Sequence, residues 1–478
     1  MTAVPTNWTL AVPEIVLACC AMLILIFGVL QKKNPAFTCT MLALGALVLA
    51  GVMLLGTHQG VAFNGLFVVD GFATYMKLLI LVGAGLSAIL ALDYNVREGI
   101  SRFEFPVLIL LSTIGMMVMC SASSMMTLYM GLELQSLALY VLCAFARDDL
   151  RSAESGLKFF VLGALASGLL LYGISLTYGF AGTMQFGELS RILTTPGSAS
   201  TGLIVGMVFI VAGLAFKLSA VPFHMWTPDV YEGAPTPVTA FMSTAPKVAA
   251  IALLLRALEI PFGHITPQWS QLIVLVSIAS MLLGSLAAIG QQNIKRLMAY
   301  SSIGHMGYAL VGLAAGTSDG IRGVLIYMAT YVFMSAGVFA CIIAMRRRGR
   351  QLEQIADLSG LARTDPGLAL GMAVFMFSMA GIPPFSGFFG KLYVFLPAVQ
   401  TGHWGLAVVG VLTSVIGAYY YLRVIKVMYF DQAAPAFDVR PASVSFVAAA
   451  GALVTTLFFV IPAPLVAAAQ QAARVLFG

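Results

Sequence analysis

Four side chains stand where an apolar sequence should not place them. Lys217, Lys247 and Lys391 each fall within or at the edge of an apolar run. Glu133 sits mid-run in Leu128-Tyr-Met-Gly-Leu-Glu-Leu-Gln-Ser-Leu137. Lys77 and Lys158 lie at the edges of further runs. If these runs cross a bilayer, a charge at mid-depth costs several kcal/mol unless it is paired or hydrated, so each such residue is a functional candidate by default. Glu133 is the one acidic residue in the middle of a run, too few to balance the lysines as fixed cations. The simplest relief is that some lysines titrate, because desolvation and a neighbouring cation both lower a lysine's pKa. An amine brought towards neutral pH carries a proton. Arginine is effectively always charged, cannot do this, and is expected at none of these central positions.

The positions suggest an order. Lys217 lies about 15 residues into its run, roughly 22 Å along a helix, immediately before a break in the pattern, and is the preferred partner for Glu133. Lys247 follows Pro246 in the run 236–258, and Lys391 comes just after a second break. Lys158 opens a run after the polar loop 146–156, where relay competes with snorkelling to the interface. Lys77 reads as snorkelling, and Glu14, after Pro13, as an interfacial carboxylate. His224 beside Trp226, and His305 in Tyr300-Ser-Ser-Ile-Gly-His-Met-Gly-Tyr308, can relay a proton through both ring nitrogens. Either is also compatible with simple packing. Tyr300, Ser301, Ser302 and Tyr308 would line a hydrated path or hold helices together. Asp229 and Glu232, in the loop after the first break, would gather protons or brace that loop.

Other chemistry is not signalled. There is no P-loop, no GxGxxG after a strand, no HExxH and no GxSxG. The six cysteines, Cys19, Cys20, Cys39, Cys120, Cys143 and Cys341, show no CxxC or Cys/His spacing, so neither a metal site nor an iron–sulfur cluster is expected. A net charge of +6 is compatible with nucleic acid, but the basic residues sit in short loops between apolar runs, which is a topology signal. No nucleic-acid partner is expected.

The elements that must position these groups are transmembrane helices. The 478 residues are 60% hydrophobic and only 9% charged, far from the quarter charged that is usual in soluble domains. Apolar runs of the length needed to cross a hydrocarbon core recur throughout, leaving no room for a sizeable soluble domain. They fall at about 11–30, 37–56, 72–92, 105–120, 123–145, 157–179, 202–217, 236–258, 269–289, 295–316, 320–345, 366–398, 404–429 and 442–470. The first has no basic residue before it and Lys32–Lys33 after it, the reverse of a secretory signal, and is read as a retained helix. With the N-terminus outside, the inside loops collect Lys32, Lys33, Arg97, Arg102, Arg147, Arg151, Lys295, Arg296, the Arg346–Arg350 cluster, Arg363, Lys426 and Arg440. The outside holds only Arg191, Arg256, Arg322 and Arg474. The expectation is an all-α polytopic membrane protein of about 14 transmembrane helices with both termini outside.

Two segments break the helical pattern, Ser219-Ala-Val-Pro-Phe223 and Ala380-Gly-Ile-Pro-Pro-Phe385. Proline there frees backbone groups that a membrane tolerates only inside protein or beside water. Stretches 105–258 and 269–429 each hold about five spans, an odd number that turns the second copy upside down. Inverted repeats with discontinuous helices place transporter sites at the midplane. The expected division is three N-terminal helices over 1–104, a first repeat over 105–258, a second, inverted repeat over 269–429, and a C-terminal transmembrane helix over 430–478.

The segment Phe216-Lys217-Leu-Ser-Ala-Val-Pro222-Phe-His224-Met-Trp226-Thr-Pro228-Asp229-Val-Tyr-Glu232-Gly233-Ala-Pro235-Thr-Pro237-Val resembles the signature of the antiporter-like subunits of respiratory complex I, the proton-pumping NADH:quinone oxidoreductase. These are similar to subunits of multi-component sodium/proton antiporters, and the resemblance spans essentially the whole chain. Ser243-Thr-Ala-Pro246-Lys247, a lysine at 391, and an end after the last span resemble one branch of that family. The resemblance implies that Glu133 and Lys217 interact to tune the lysine, that Lys247 is a central proton site and Lys391 the exit-side site. It makes Lys158 and His305 linkers along a hydrophilic axis. It further implies a bacterial inner membrane with periplasmic termini, and as partners antiporter-like neighbours and small helical subunits. FMN, iron–sulfur clusters, NADH and quinone would be held by those partner subunits, with no cofactor in this chain. A sodium/proton antiporter subunit without redox partners is the alternative, and a structural spacer is a third reading.

Overall fold

The computed structural model describes residues 7–195 and 197–477. Inside a membrane every backbone polar group must be satisfied within the protein, and the apolar runs accordingly fold as helices. Three open the chain: α1 (Val12–Leu30), α2 (Ala36–Gly56) and α3 (Gly71–Arg97). Then come α4 (Glu104–Cys120), α5 (Met125–Cys143), α6 (Leu150–Ala181), α7 (Phe186–Leu193), α8 (Thr201–Leu218), α9 (Thr227–Gly233), α10 (Thr236–Ser243) and α11 (Ala245–Glu259). The second stretch holds α12 (Thr266–Ile289), α13 (Ile294–Ala314), α14 (Ser318–Ile343), α15 (Leu361–Thr364), α16 (Pro366–Ala380), α17 (Ser386–Gln400) and α18 (Trp404–Phe430). The chain closes on α19 (Ala442–Leu457) and α20 (Ala463–Arg474).

Among the described residues, ten helical stretches are long and apolar enough to cross a membrane, and α4, α16 and α19 are shorter apolar helices. The protein is a mostly helical, multi-pass membrane protein. Side chains at the helix starts supply the caps that an apolar run lacks. Ser124 accepts from Thr127 N, Ser200 from Leu203 N, Thr317 from Gly320 N and Asn293 from Lys295 N.

Helices α11 and α14 lie in the middle of the bundle. Every residue in the most apolar stretch of Thr236–Glu259 is buried, as is nearly all of Ser318–Ile343. Around them α12 packs on α13 and α18, α6 on α8, and α14 on α17 and α19. Small residues permit the closest of these approaches. A Cβ at Gly284 of α12 would stand only 2.6 Å from Gly304 N of α13.

The basic loops meet on one face. Arg346 pairs with Glu98, Asp438 accepts from the backbone N–H of Arg348 and Gly349, Lys295 pairs with Glu353 at 3.1 Å, and Arg440 pairs with Asp365. These are the residues that the charge alternation groups as inside.

Two expected spans differ from the observed helices. The run 236–258 is interrupted at Thr244 (φ −111°, ψ −92°), where Pro246 restarts the helix as its second residue. The run 442–470 is two helices, because Pro462 and Pro464 suit a helix start and not an interior. Helix α7, invisible to a search for long apolar runs, is a short amphipathic piece that buries Phe186, Leu189 and Leu193.

Candidate proton-transfer site

Both expected breaks are present, and each leaves carbonyl oxygens that no helical N–H can reach. Helix α8 ends on Ser219, whose φ of 62° turns the chain into the left-handed region. Helix α16 ends the same way on Gly381, at φ 86°. A lysine caps each end. Lys247 donates to Leu218 O at 2.9 Å and to Ser219 Oγ. Lys391 donates to Met379 O at 3.0 Å, Ala380 O at 3.1 Å and Ser414 Oγ at 2.8 Å. The negative end of a helix dipole favours an ammonium there without neutralising it.

Lys217, at the end of α8, donates to Ser136 Oγ at 2.8 Å and Tyr140 Oη at 3.3 Å of α5. Glu133 is half-buried on that same helix, where Ser167 of α6 donates to its Oε1. No ion pair joins Glu133 to Lys217; the lysine rests one turn further along α5. The expected partnership is thus one of neighbourhood, with Ser136, which accepts from the lysine, donating to Leu132 O rather than to Glu133.

The buried bases divide into two classes. Lys77 is fully buried with Glu14 at 2.6 Å, Arg256 is buried with Asp70 at 2.9 Å, and Lys295 and Arg346 pair with Glu353 and Glu98. The snorkelling reading of Lys77 and the loop placement of Arg256 are therefore corrected: each found a carboxylate in the interior. Among the described residues, Lys217, Lys247 and Lys391 are buried with hydroxyl and carbonyl partners only. An uncompensated buried ammonium is costly where a neutral amine is not.

Further hydroxyls pair across neighbouring helices. Ser335 donates to Ser243 at 2.8 Å, and Tyr331 to Ser302 at 3.0 Å. His305 is buried beside them, its Nδ1 2.5 Å from Tyr327 Oη and its Nε2 3.1 Å from Tyr421 Oη. Tyr421 Oη in turn lies 2.5 Å from Ser301 Oγ. A cavity of about 10 Å³, close to the least that holds one water, touches His305, Tyr421, Tyr308 and Lys391. The ammonium of Lys391 also lies 4.8 Å from the centre of the Tyr308 ring.

Two expected residues stand apart from these groups. Lys158 is 41% exposed and pairs with Glu154 at 2.7 Å and Asp229 at 2.8 Å. Asp229 also binds Arg296 at 2.7 Å, and Arg296 binds Glu232 at 3.0 Å, so these groups form an ionic lattice at the face of the basic loops. Partial burial alone would raise the Asp229 carboxyl, but its bonds to Lys158 and Arg296 outweigh that and hold it below the usual carboxylate range. His224 is half-buried in the first break, and its Nδ1 has no partner in the protein. A polar cavity of about 630 Å³ opens on this same face over Lys295, Glu232, Glu353, Arg147 and Glu98.

Sequence reasoning singled out Ser301, Ser302, Tyr308 and His305, and missed Tyr327, Tyr331, Tyr421, Ser335 and Ser414. Tyr327 and Tyr331 are four apart, one helix face in an otherwise apolar run, a readable signal. Ser136 and Tyr140 follow Glu133 at three and seven residues, again on one face.

Buried amines without carboxylate partners, with hydroxyl pairs and a histidine among them and two broken helices beside them, are what a membrane ion-translocating protein needs. The description NADH:quinone oxidoreductase/Mrp antiporter, TM, fits residues 122–417. A protein of Granulibacter bethesdensis named NADH-quinone oxidoreductase subunit N is 66% identical over 98% of this chain and 99% of its own length. One of the same name from Gluconacetobacter diazotrophicus is 59% identical over 98% of this chain and all of its own. The chain belongs to the NADH-quinone oxidoreductase subunit N family. A chain of respiratory complex I from Thermus thermophilus with bound aureothin superposes with a TM-score of 0.82 at 32% identity, covering 95% of this chain and 98% of that one. The Mrp complex from Dietzia sp. DQ12-45-1b has a chain that shares the fold, at 24% identity and a TM-score of 0.82 over 100% of this chain and 98% of that one.

Proposed function

We propose that this chain is the proton-translocating subunit N of a bacterial NADH:quinone oxidoreductase, in which electron transfer from NADH to quinone in other subunits drives protons from cytoplasm to periplasm. FMN, the iron–sulfur clusters and quinone belong to those partner subunits, and this chain's share is acid–base chemistry alone. Its neighbours are further antiporter-like subunits and small helical subunits in the inner membrane. Fourteen spans in two inverted five-helix repeats, with both termini periplasmic, are the topology that best accounts for the clustering of basic loops on one face.

The observation that carries the reading is the division among buried bases. Bases that serve structure have carboxylate partners; Lys217, Lys247 and Lys391 have carbonyls and hydroxyls, which hold an ammonium and leave it free to give up its proton. Protons load from the cytoplasmic face through the lattice of Lys158, Asp229 and Arg296. They occupy Lys217 and Lys247, cross by Ser243, Ser335, Tyr331, Ser302 and His305, and leave through Lys391. Glu133 tunes Lys217, and His224 lines the first break as a supporting relay. Sixty-six per cent identity to a subunit N, against 24% to the chain of the Mrp complex, favours this reading over a sodium/proton antiporter subunit.

The test is Lys391→Ala in inverted membrane vesicles carrying the assembled enzyme, with proton uptake measured per NADH oxidised. A lower ratio at normal assembly supports the reading; an unchanged ratio refutes it.

A further inference from the structure

The N-terminal helices hold charges that the proton path does not use, and they reach the helix that carries Lys247 at two points. The first is ionic. Asp70 precedes α3, caps it by accepting from Ala73 N at 2.7 Å, and takes Arg256 Nη2 at 2.9 Å on both carboxylate oxygens. Arg256 belongs to α11, is 1% exposed, and also lies 5.0 Å from the Phe72 ring of α3. It stands nine residues past Lys247, about 13 Å along the helix.

The second point is steric. Gly83 of α3 faces the interruption at Thr244: a Cβ there would stand 3.1 Å from Ala245 N and 3.3 Å from the Cβ atoms of both Thr244 and Ala245. Lys247 N bonds to Thr244 O at 3.1 Å, so the lysine's backbone is set by the residue that Gly83 receives. Helix α3 is itself held on both sides. Lys77 pairs with Glu14 of α1, and Tyr75 Oη donates to Leu325 O of α14 at 3.2 Å.

An interrupted helix has lost hydrogen bonds at the break, so its two halves do not fix each other's direction. Something outside must. We propose that α3 is a brace that positions Lys247, gripping α11 by the Asp70–Arg256 pair at its far end and by the Gly83 socket at the Thr244 break. Asp70, Arg256 and Gly83 are positioning residues: none touches the ammonium, and each acts through the placement of Lys247 Nζ on Leu218 O and Ser219. A proton donor displaced by a fraction of an ångström from its relay transfers poorly, because transfer needs hydrogen-bond reach.

This rests on Lys247 being a proton carrier, and the experiment separates the two claims. Asp70→Asn keeps the helix cap, since asparagine caps as well as aspartate, and removes the charge together with one of the two oxygens that accept from Arg256. Gly83→Ala fills the socket. Arg256→Lys is the conservative variant of Arg256→Met. Protons pumped per NADH oxidised are measured in vesicles normalised to assembled enzyme, with the KM for NADH. The brace predicts a several-fold lower ratio in Asp70→Asn, Gly83→Ala and Arg256→Met, partial recovery in Arg256→Lys, and an unchanged KM. Where Arg256→Met does not assemble, the other two variants carry the test. A purely structural pair predicts less assembled enzyme with a normal ratio, and that result overturns the brace. A normal ratio in Lys247→Ala overturns the reading of Lys247 and the brace with it. A deficient Lys247→Ala beside normal Asp70→Asn and Gly83→Ala overturns the brace alone.

Discussion

Glu133 and Lys217 do not touch. The lysine's ammonium rests 2.8 Å from Ser136, one turn along α5 from the carboxylate, while Ser167 occupies Glu133. The pair is therefore open in this structure. Under the proposed function, closing this pair would raise the proton affinity of Lys217 and opening it would lower that affinity.

Glu133→Gln removes the tuning charge and keeps the shape, so pumping should fall several-fold with assembly preserved. Lys217→Arg is the sharper variant, since it keeps the cation and cannot lose its proton. It should fall as far as Lys217→Ala. Activity in Lys217→Arg close to that of the unsubstituted enzyme would mean that only the fixed charge matters.

His305 depends on two phenols for its orientation. Tyr421→Phe removes the group 3.1 Å from Nε2 and also the partner of Ser301, and should slow proton transfer while leaving packing intact. Proton uptake in single-turnover vesicles measures it, with an increased solvent isotope effect expected if this step becomes limiting. Tyr300→Phe, outside these contacts, should behave as unsubstituted enzyme.

The Lys77–Glu14 pair should behave as structure. Removing one partner of a buried pair leaves an uncompensated charge worth about 3–5 kcal/mol, whereas replacing both with apolar groups is close to neutral. Lys77→Met should thus lower the thermal stability of the purified assembly strongly, and Lys77→Met with Glu14→Leu should restore it. A double variant no better than the single one would show that the ions do more than balance each other.

Asp229 gives a pH signature. Its carboxyl lies below the usual range despite partial burial, because of Lys158 and Arg296. A depressed carboxyl adds stability above its unfolded pKa, about 3.9, and loses it as pH falls through the folded value. The lattice should hold at neutral pH and loosen only in acid. Lys158 and Asp229 are 41% and 36% exposed, so screening by water keeps the effect small. Unfolding temperature against pH should show an acid-side loss that Asp229→Asn lacks.

Much of the architecture was legible because a bilayer leaves few choices. Helix α1 covers Val12–Leu30 against an expected 11–30, and several of the loops grouped by charge contact one another, as Arg346 does Glu98 and Lys295 does Glu353. The breaks at Pro222 and at Pro383–Pro384 were legible because proline removes a donor. The interruption at Thr244 was not, although Pro246 marked it, since the run stays apolar across it. The partners of Lys77 and Arg256 were illegible for a different reason. Glu14 and Asp70 come from other helices, and only packing decides whether a lysine near a helix end turns outward to the interface or inward to a carboxylate. The same holds for the hydroxyl partners of His305: the spacing of Tyr327 and Tyr331 marks one helix face, but that Tyr327 and Tyr421 from two different helices meet on one imidazole is decided by packing alone.

The central claim is that unpaired buried amines release their protons during turnover. The most direct measurement is protons translocated per NADH oxidised in vesicles carrying Lys247→Arg, with assembly quantified in the same preparation. Arginine preserves the charge on the carbonyl end of α8 and cannot deprotonate, so the ratio should drop as in Lys247→Ala. A ratio equal to that of the unsubstituted enzyme would contradict the account.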